Sequence, residues 1–278
     1  MKTIVITGVT SGIGKTLMMA LLEQGHTVIG IARSRTRLFA LEADFKEKGY
    51  RSYALFKADF ESLSDIRDVI GSITKRYPKG IDVLVNNAAR MTKAMNTTSD
   101  GFEVQFQVNH LAPVLLTHGL LPLLKETEGT IITTASNAHR RTKYDPDDLE
   151  ATRSYSPFRS YCRTKLYNIL ATRALRDLVL PKTGVKAYAV HPGLVRTPIA
   201  SKDSSPLYRF SFWLFMKTRG IETDEAITTY IDLIDHGAPD DVFYIHDSKP
   251  GKLSKDALDD ANRDDLWTKT LDMLDISF

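Results

Sequence analysis

Thr3-Ile4-Val5-Ile6-Thr7-Gly8-Val9-Thr10-Ser11-Gly12-Ile13-Gly14 decides the fold class. It opens as a β-branched run with strand character, and its three glycines punctuate a turn. Beyond it, Ile13 to Leu22 carries apolar residues at three- and four-residue spacing, the pattern of a helix covering a sheet. A strand, a glycine-rich turn and a helix start, in that order, let the backbone come close to a pyrophosphate. Gly8, Gly12 and Gly14 permit the approach, and the N–H groups around Thr10, Ser11 and Ile13 stand at the positive end of the helix dipole. Such a turn alone is also an ordinary loop; its position after the first strand favours the phosphate reading.

Outward from that unit, strand-like runs recur at Thr27 to Ile31, Ala54 to Ala58, Val83 to Val85, Thr130 to Thr134 and Val185 to Val190. Helical patterns lie between them at Leu63 to Ile73, Phe102 to Leu124 and Tyr161 to Leu178, with Pro113 and Pro122 expected to bend or break the second of these. The rhythm predicts an α/β fold: a single doubly wound, Rossmann-type parallel sheet flanked by helices on both faces. With no repeat, low-complexity tract or Pro/Gly-rich linker, residues 1–278 are expected to form one domain. Two stretches interrupt the rhythm: the polar, turn-rich 139–158, and 199–220 with Tyr208, Phe210, Phe212, Trp213 and Phe215. Long insertions tend to be functional, and both are expected to act as substrate-lid segments.

The 37 basic and 34 acidic residues leave a net charge of +3, with no like-charge run suited to a nucleic-acid backbone. A small uncharged or anionic ligand fits better than nucleic acid. Cys162 is the only cysteine, which excludes an intrachain disulfide framework and suits a reducing compartment. The sequence passes from Met1 directly into a strand without a signal-peptide pattern, and no stretch reaches the roughly 18 apolar residues of a membrane span. The expectation is a soluble, cytoplasmic protein with no membrane span.

The second strand ends Ile31-Ala32-Arg33-Ser34. A carboxylate there would hold the ribose hydroxyls of NAD. An arginine beside the Ser34 hydroxyl instead suits the 2′-phosphate of NADP, so NADP(H) is expected in preference to NAD(H). Arg33 can equally start a solvated helix with Arg35 and Arg37. Asp59, after the third strand, is placed either to accept a hydrogen bond from adenine or to cap the helix near Leu63.

Tyr161 and Lys165 are four residues apart on a helix and share a face. A phenol with a reference pKa near 10 is too weak an acid for proton exchange at neutral pH; a neighbouring ammonium and a positive nicotinamide ring would favour phenolate. A Tyr-x-x-x-Lys pair is usually only a helix surface, but Ser136 follows the strand Thr130 to Thr134 at the carboxyl edge, where such sheets bind ligands. Its hydroxyl there either holds a substrate oxygen or satisfies the strand end. Asn109, inside the long helix, either faces solvent or holds a water that continues a proton path from Lys165.

These pieces, with Asn86-Asn87-Ala88-Ala89 and Pro192-Gly193-Leu194-Val195-Arg196-Thr197, resemble the short-chain dehydrogenase/reductase family over nearly the whole chain. The resemblance implies a catalytic tetrad of Asn109, Ser136, Tyr161 and Lys165. It also implies that Asn86 steadies the central strand, that Thr197 meets the nicotinamide carboxamide, and that Lys165 grips the nicotinamide ribose. Ala88, Pro192, Gly193 and Val195 are carried over as cofactor contacts; Ala89 replaces the usual glycine. Val108-Asn109-His110-Leu111, Tyr161-Cys162-Arg163-Thr164-Lys165 and His191-Pro192-Gly193 are similar to the retinol-dehydrogenase-like branch, whose members often carry an N-terminal membrane anchor. Relatives commonly pair through helices such as Tyr161 to Leu178, which implies a homodimer or homotetramer.

The expected activity is interconversion of an apolar aldehyde or ketone and its alcohol. Two alternatives are reduction of an activated carbon–carbon double bond and a cofactor-binding sensor or scaffold without turnover. The seven histidines lack metal-site spacing, so no metal is expected; His191 reads as structural and Cys162 as a packed thiol. The aromatics around Trp213 read as core, as membrane-contacting surface, or as a flap over an apolar substrate.

Overall fold

The computed structural model describes residues 1–195 and 220–278. The chain runs β1 (Thr3–Thr7), α1 (Gly12–Glu23), β2 (Thr27–Ala32), α2 (Arg35–Glu47), β3 (Tyr53–Lys57), α3 (Leu63–Arg76) and β4 (Val83–Asn86). Then come α4 (Val104–Phe106), a π turn at Gln107–Leu111, α5 (Ala112–Lys125), β5 (Thr130–Thr134), a 3₁₀ turn at Asn137–Arg141 and α6 (Pro157–Ala174). The last described elements are β6 (Lys186–His191), α7 (Thr223–His236), β7 (Tyr244–His246), β8 (Lys249–Pro250), α8 (Lys255–Leu258) and α9 (Asp260–Leu274).

The sheet order is β3-β2-β1-β4-β5-β6-β7-β8. All pairings are parallel except the short antiparallel β7–β8 edge, an addition to the expected parallel sheet. Strand order reverses between β1 and β4, so the loops leaving their carboxyl ends diverge and open a crevice. Strand residues alternate between two cores, as period-two geometry requires. Ile4, Ile6, Val83 and Val85 pack under α1 and α7, whereas Val5, Leu84 and Ile131 pack under α3, α5 and α6. Every strand of the central sheet is therefore covered on both faces, which is why these strands read as continuous apolar runs.

The expected strands all form. Helix α2 was anticipated only as the alternative reading of Arg33, and the C-terminal α7 and α9 were not anticipated. Pro122 does not break its helix: α5 continues through it to Lys125. The irregularity lies earlier, in the π turn, where Ala112 N–H reaches back five residues to Gln107. Pro113 stands just beyond it at the second position of α5, where a missing N–H is best tolerated.

Candidate active site

The glycine turn forms a cradle at the switch between β1 and β4. Gly8 (φ +80°) and Gly12 (φ +53°) adopt backbone that other residues avoid. A Cβ on Gly14 would stand 2.5 Å from the Gly8 carbonyl and 2.7 Å from the Asn87 side chain, so no other residue fits. The Thr7 hydroxyl accepts from the N–H groups of Asn87 and Ala88, both at 2.9 Å, and locks the end of β4 against this turn. Ser34 and Ser62 cap their helices with side-chain oxygens, but Ser11 makes no such bond to α1. The first N–H groups of α1 thus lack a side-chain cap at a dipole end suited to an anion, and the residues fit a dinucleotide pyrophosphate.

At the adenosine end, Arg33 is not part of α2; Ser34 is the N-cap, accepting from Arg37 N–H at 3.3 Å. The Arg33 guanidinium pairs with Glu61 at 3.1 Å, and Arg90 binds the same carboxylate. Asp59 accepts from Glu61 N–H at 3.1 Å, while Ser62 caps α3; the capping role open to Asp59 falls to Ser62. Asn86 is buried and donates to Thr117 at 3.0 Å, tying β4 to α5.

One strand pair further on, the Ser136 side chain stands near enough to Tyr161 to act on its phenol, and Ser136 accepts from Ala138 N–H at 3.1 Å. Lys165 lies 5.5 Å from the centre of the Tyr161 ring and donates to the Thr134 carbonyl at 2.7 Å. Asn109 is buried in the π turn rather than facing solvent. Its side chain grips the backbone of Arg90, accepting from N–H at 2.7 Å and donating to the carbonyl at 2.8 Å, and donates to Thr164 at 3.2 Å. All four side chains converge at the carboxyl edge. Burial raises the Tyr161 phenol to about 12, outweighing Ser136, which lowers it, and lowers Lys165 to about 7. The ammonium was expected to lower the phenol together with a positive nicotinamide ring; without the ring, desolvation dominates and the phenol is raised.

A short-chain dehydrogenase family model matches residues 2–207. The chain belongs to the short-chain dehydrogenase family. It is 32% identical to human retinol dehydrogenase 13 over 97% of this chain and 83% of that protein. It is also 37% identical to a Streptomyces protein named as a daunorubicin C-13 ketoreductase, over 80% and 76% of the two chains. Among solved structures, an uncharacterized protein from Mycobacterium Paratuberculosis superposes with a TM-score of 0.78 at 26% identity, covering all of this chain and 94% of the other. NADPH-bound carbonyl reductase from chicken fatty liver shares the fold at a TM-score of 0.68 and 19% identity, over 91% and 99% of the chains. The chain is thus a short-chain oxidoreductase acting on CH–OH or C=O groups, of the retinol-dehydrogenase-like branch, and the family uses a nicotinamide cofactor.

Around this family site stand residues that the sequence reading missed. Tyr230 on α7 is fully buried, with its hydroxyl 2.8 Å from the Thr134 hydroxyl, on the residue whose carbonyl holds Lys165. Asn168 donates to the same carbonyl at 3.3 Å. His139 Nε2 accepts from Ser254 N–H at 3.2 Å, so Nδ1 carries the proton and donates to the Ser136 carbonyl at 2.7 Å. Thr164 and Asn168 share the Tyr161/Lys165 helix and were legible by spacing. Tyr230, on another helix far along the chain, had no local signal.

Residues 139–158 were expected to be partly a mobile lid. In the structure, residues 144–149 of the stretch are bonded to α6 and α9. Arg163 pairs with Asp145 at 3.2 Å and Asp148 at 3.3 Å, Tyr144 donates to Asp265 at 2.6 Å, and Tyr167 donates to the Leu149 carbonyl at 3.0 Å. With Leu149 and Ala151 buried, the stretch is built as a fixed wall. Arg196, Thr197 and the 199–220 aromatics, including Trp213, lie outside the described residues. Gly193 (φ +87°) and Val195 enter that segment, and Val195 bridges to Ile221 where the chain returns. His191 stacks on His246 at 4.5 Å, and burial pushes the Cys162 thiol up to about 11. Helix α6 packs against its own α8 and α9: Arg173 bonds the Ala257 carbonyl at 3.0 Å and pairs with Asp260, and only Phe158 and Arg159 of α6 are exposed.

Proposed function

We propose that this protein is an NADP(H)-dependent enzyme interconverting an apolar aldehyde or ketone and its alcohol, with Tyr161 as acid and base. The observation that carries the reading is the placing of Ser136 and Lys165 beside Tyr161, with Lys165 5.5 Å from the ring centre, at the same sheet edge as the uncapped glycine cradle. When bound there, the nicotinamide supplies or accepts the hydride, and its oxidised ring adds positive charge. Ser136 holds the substrate oxygen, and Tyr161 gives that oxygen its proton in reduction and takes it back in oxidation. Lys165, whose ammonium is weakened by burial, passes protons to and from the phenol. The Asn109 side chain is committed to Arg90 and Thr164, so a water continuing the path would sit on its main-chain carbonyl, to which Pro113 has no N–H to donate.

The preference for NADP(H) rests on Arg33 and Ser34 at the end of β2, a position that carries no carboxylate of its own, the nearby Glu61 being paired with Arg33 and Arg90. Pro192, Gly193, Val195 and Thr197 follow β6, next to β5, and are assigned to the nicotinamide end. The aromatics of 199–220 are assigned as apolar cover that excludes water from the reacting carbonyl.

The test is NADPH consumption across a panel of aldehydes, ketones and quinones with the parent and Tyr161→Phe. The variant keeps the ring and loses the proton, so turnover should fall at least roughly 10²-fold with NADPH affinity intact. Parental turnover in Tyr161→Phe would defeat the mechanism.

A further inference from the structure

An open hollow of about 620 Å³ lies between the turn after Ser136 and the first turns of α6. Arg140, Arg141, Lys143, Arg159 and Arg163 line it, together with Asp145. Arg163 is neutralised by Asp145 and Asp148. The other four cations have no carboxylate partner among the described residues: Arg159 bonds Ser154, and Arg141 lies over the Phe158 ring at 5.9 Å. In a chain of net charge +3, four cations around one hollow without a carboxylate among the described residues are a local excess that repels itself and is relieved by an anion. Guanidinium groups match the planar oxygens of carboxylate and phosphate in paired hydrogen bonds.

The hollow begins a few residues after Ser136, and no residue of the tetrad lines it. Arg140 and Arg141 follow Ser136 by four and five residues, whereas Arg159 and Arg163 stand two residues from Tyr161 and Lys165 and so on the other side of α6. We propose that the hollow is a subsite for a carboxylate or phosphate group, carried by an amphipathic carbonyl substrate or by a free small acid. The substrate-borne form rests on the carbonyl chemistry proposed above; the anion site itself does not.

Two measurements on the full chain test this, using the parent and the triple variant Arg140→Gln/Arg141→Gln/Lys143→Gln. The first is calorimetric binding of citrate and inorganic phosphate at low salt. The second is NADPH-dependent reduction of an ω-formyl alkanoate and of its methyl ester. A substrate-borne anion predicts a KM lower for the acid than the ester by roughly 3- to 30-fold in the parent, and lost in the variant and at high salt. Ester turnover should stay equal in both proteins, which shows the variant folded. Citrate or phosphate binding to the parent and not the variant, without acid preference, supports the free-acid form. Absence of both effects, or equal binding to both proteins, overturns the subsite. If neither aldehyde is reduced, the carbonyl reading fails while the binding arm still decides the hollow.

Discussion

Burial sets the resting protonation of the Tyr161 and Lys165 pair: the phenol holds its proton to about 12 and the ammonium releases its own near 7. In the cofactor-free site the pair is therefore a protonated acid beside an ammonium that gives up its proton more readily than an exposed one. At the same scale, Glu61 competes for Arg33. Glu61→Gln removes the carboxylate that Arg33 and Arg90 share, so NADPH should bind roughly threefold or more tightly with little change for NADH. Arg33→Ala should weaken NADPH roughly tenfold or more and spare NADH. Titrating both cofactors against both variants checks this; parallel changes for NADH and NADPH would remove Arg33 from the 2′-phosphate site.

Whole elements carry the site's rigidity. The 142–156 stretch hangs on Arg163, which is buried on α6 between Asp145 and Asp148. Arg163→Met leaves the buried Asp148 carboxylate without its cation, so denaturant unfolding should show a loss of roughly 3 kcal/mol, with proteolytic cuts concentrated in that stretch. A loss within error would make the wall independent of this pair. Helix α7 acts through Tyr230, whose hydroxyl meets Thr134 while the Thr134 carbonyl holds Lys165. Tyr230→Phe keeps the packing and removes one bond, so stability should change by about 1 kcal/mol. Turnover should fall roughly threefold to tenfold with a moved pH–rate limb. An unchanged pH profile would reduce Tyr230 to packing.

For the molecule as a whole, buried bases dictate how stability follows pH. Burial lowers His110 and His191 to about 3, against about 6.5 when unfolded. Between those values the unfolded chain binds more protons, so stability is lost as pH falls below about 6.5. Lys165 acts in the same direction higher up: folded near 7 and unfolded near about 10, it makes stability rise with pH across that window. Tyr161 reverses the trend above about 10, where only the unfolded phenol ionises. Thermal unfolding of the cofactor-free protein should therefore show Tm climbing from pH 5 toward about 9, and Lys165→Met should flatten the portion above about 7. A flat parental profile would show that these groups are not buried as described.

The sequence by itself determined the sheet and the chemistry that local spacing can write. The β-branched runs, the glycine turn at Gly8 to Gly14 and the Tyr161/Lys165 spacing follow from period two, φ freedom and period 3.6, all properties of neighbours in the chain. What only the tertiary structure decided depends on partners far apart in sequence. Glu61 takes Arg33, Ser62 rather than Asp59 caps α3, and Asn109 turns inward to Arg90 because the π turn rotates it there. Tyr230 reaches Thr134 across 96 residues. The direction of the Tyr161 shift also belongs here, since desolvation depends on everything packed around a side chain.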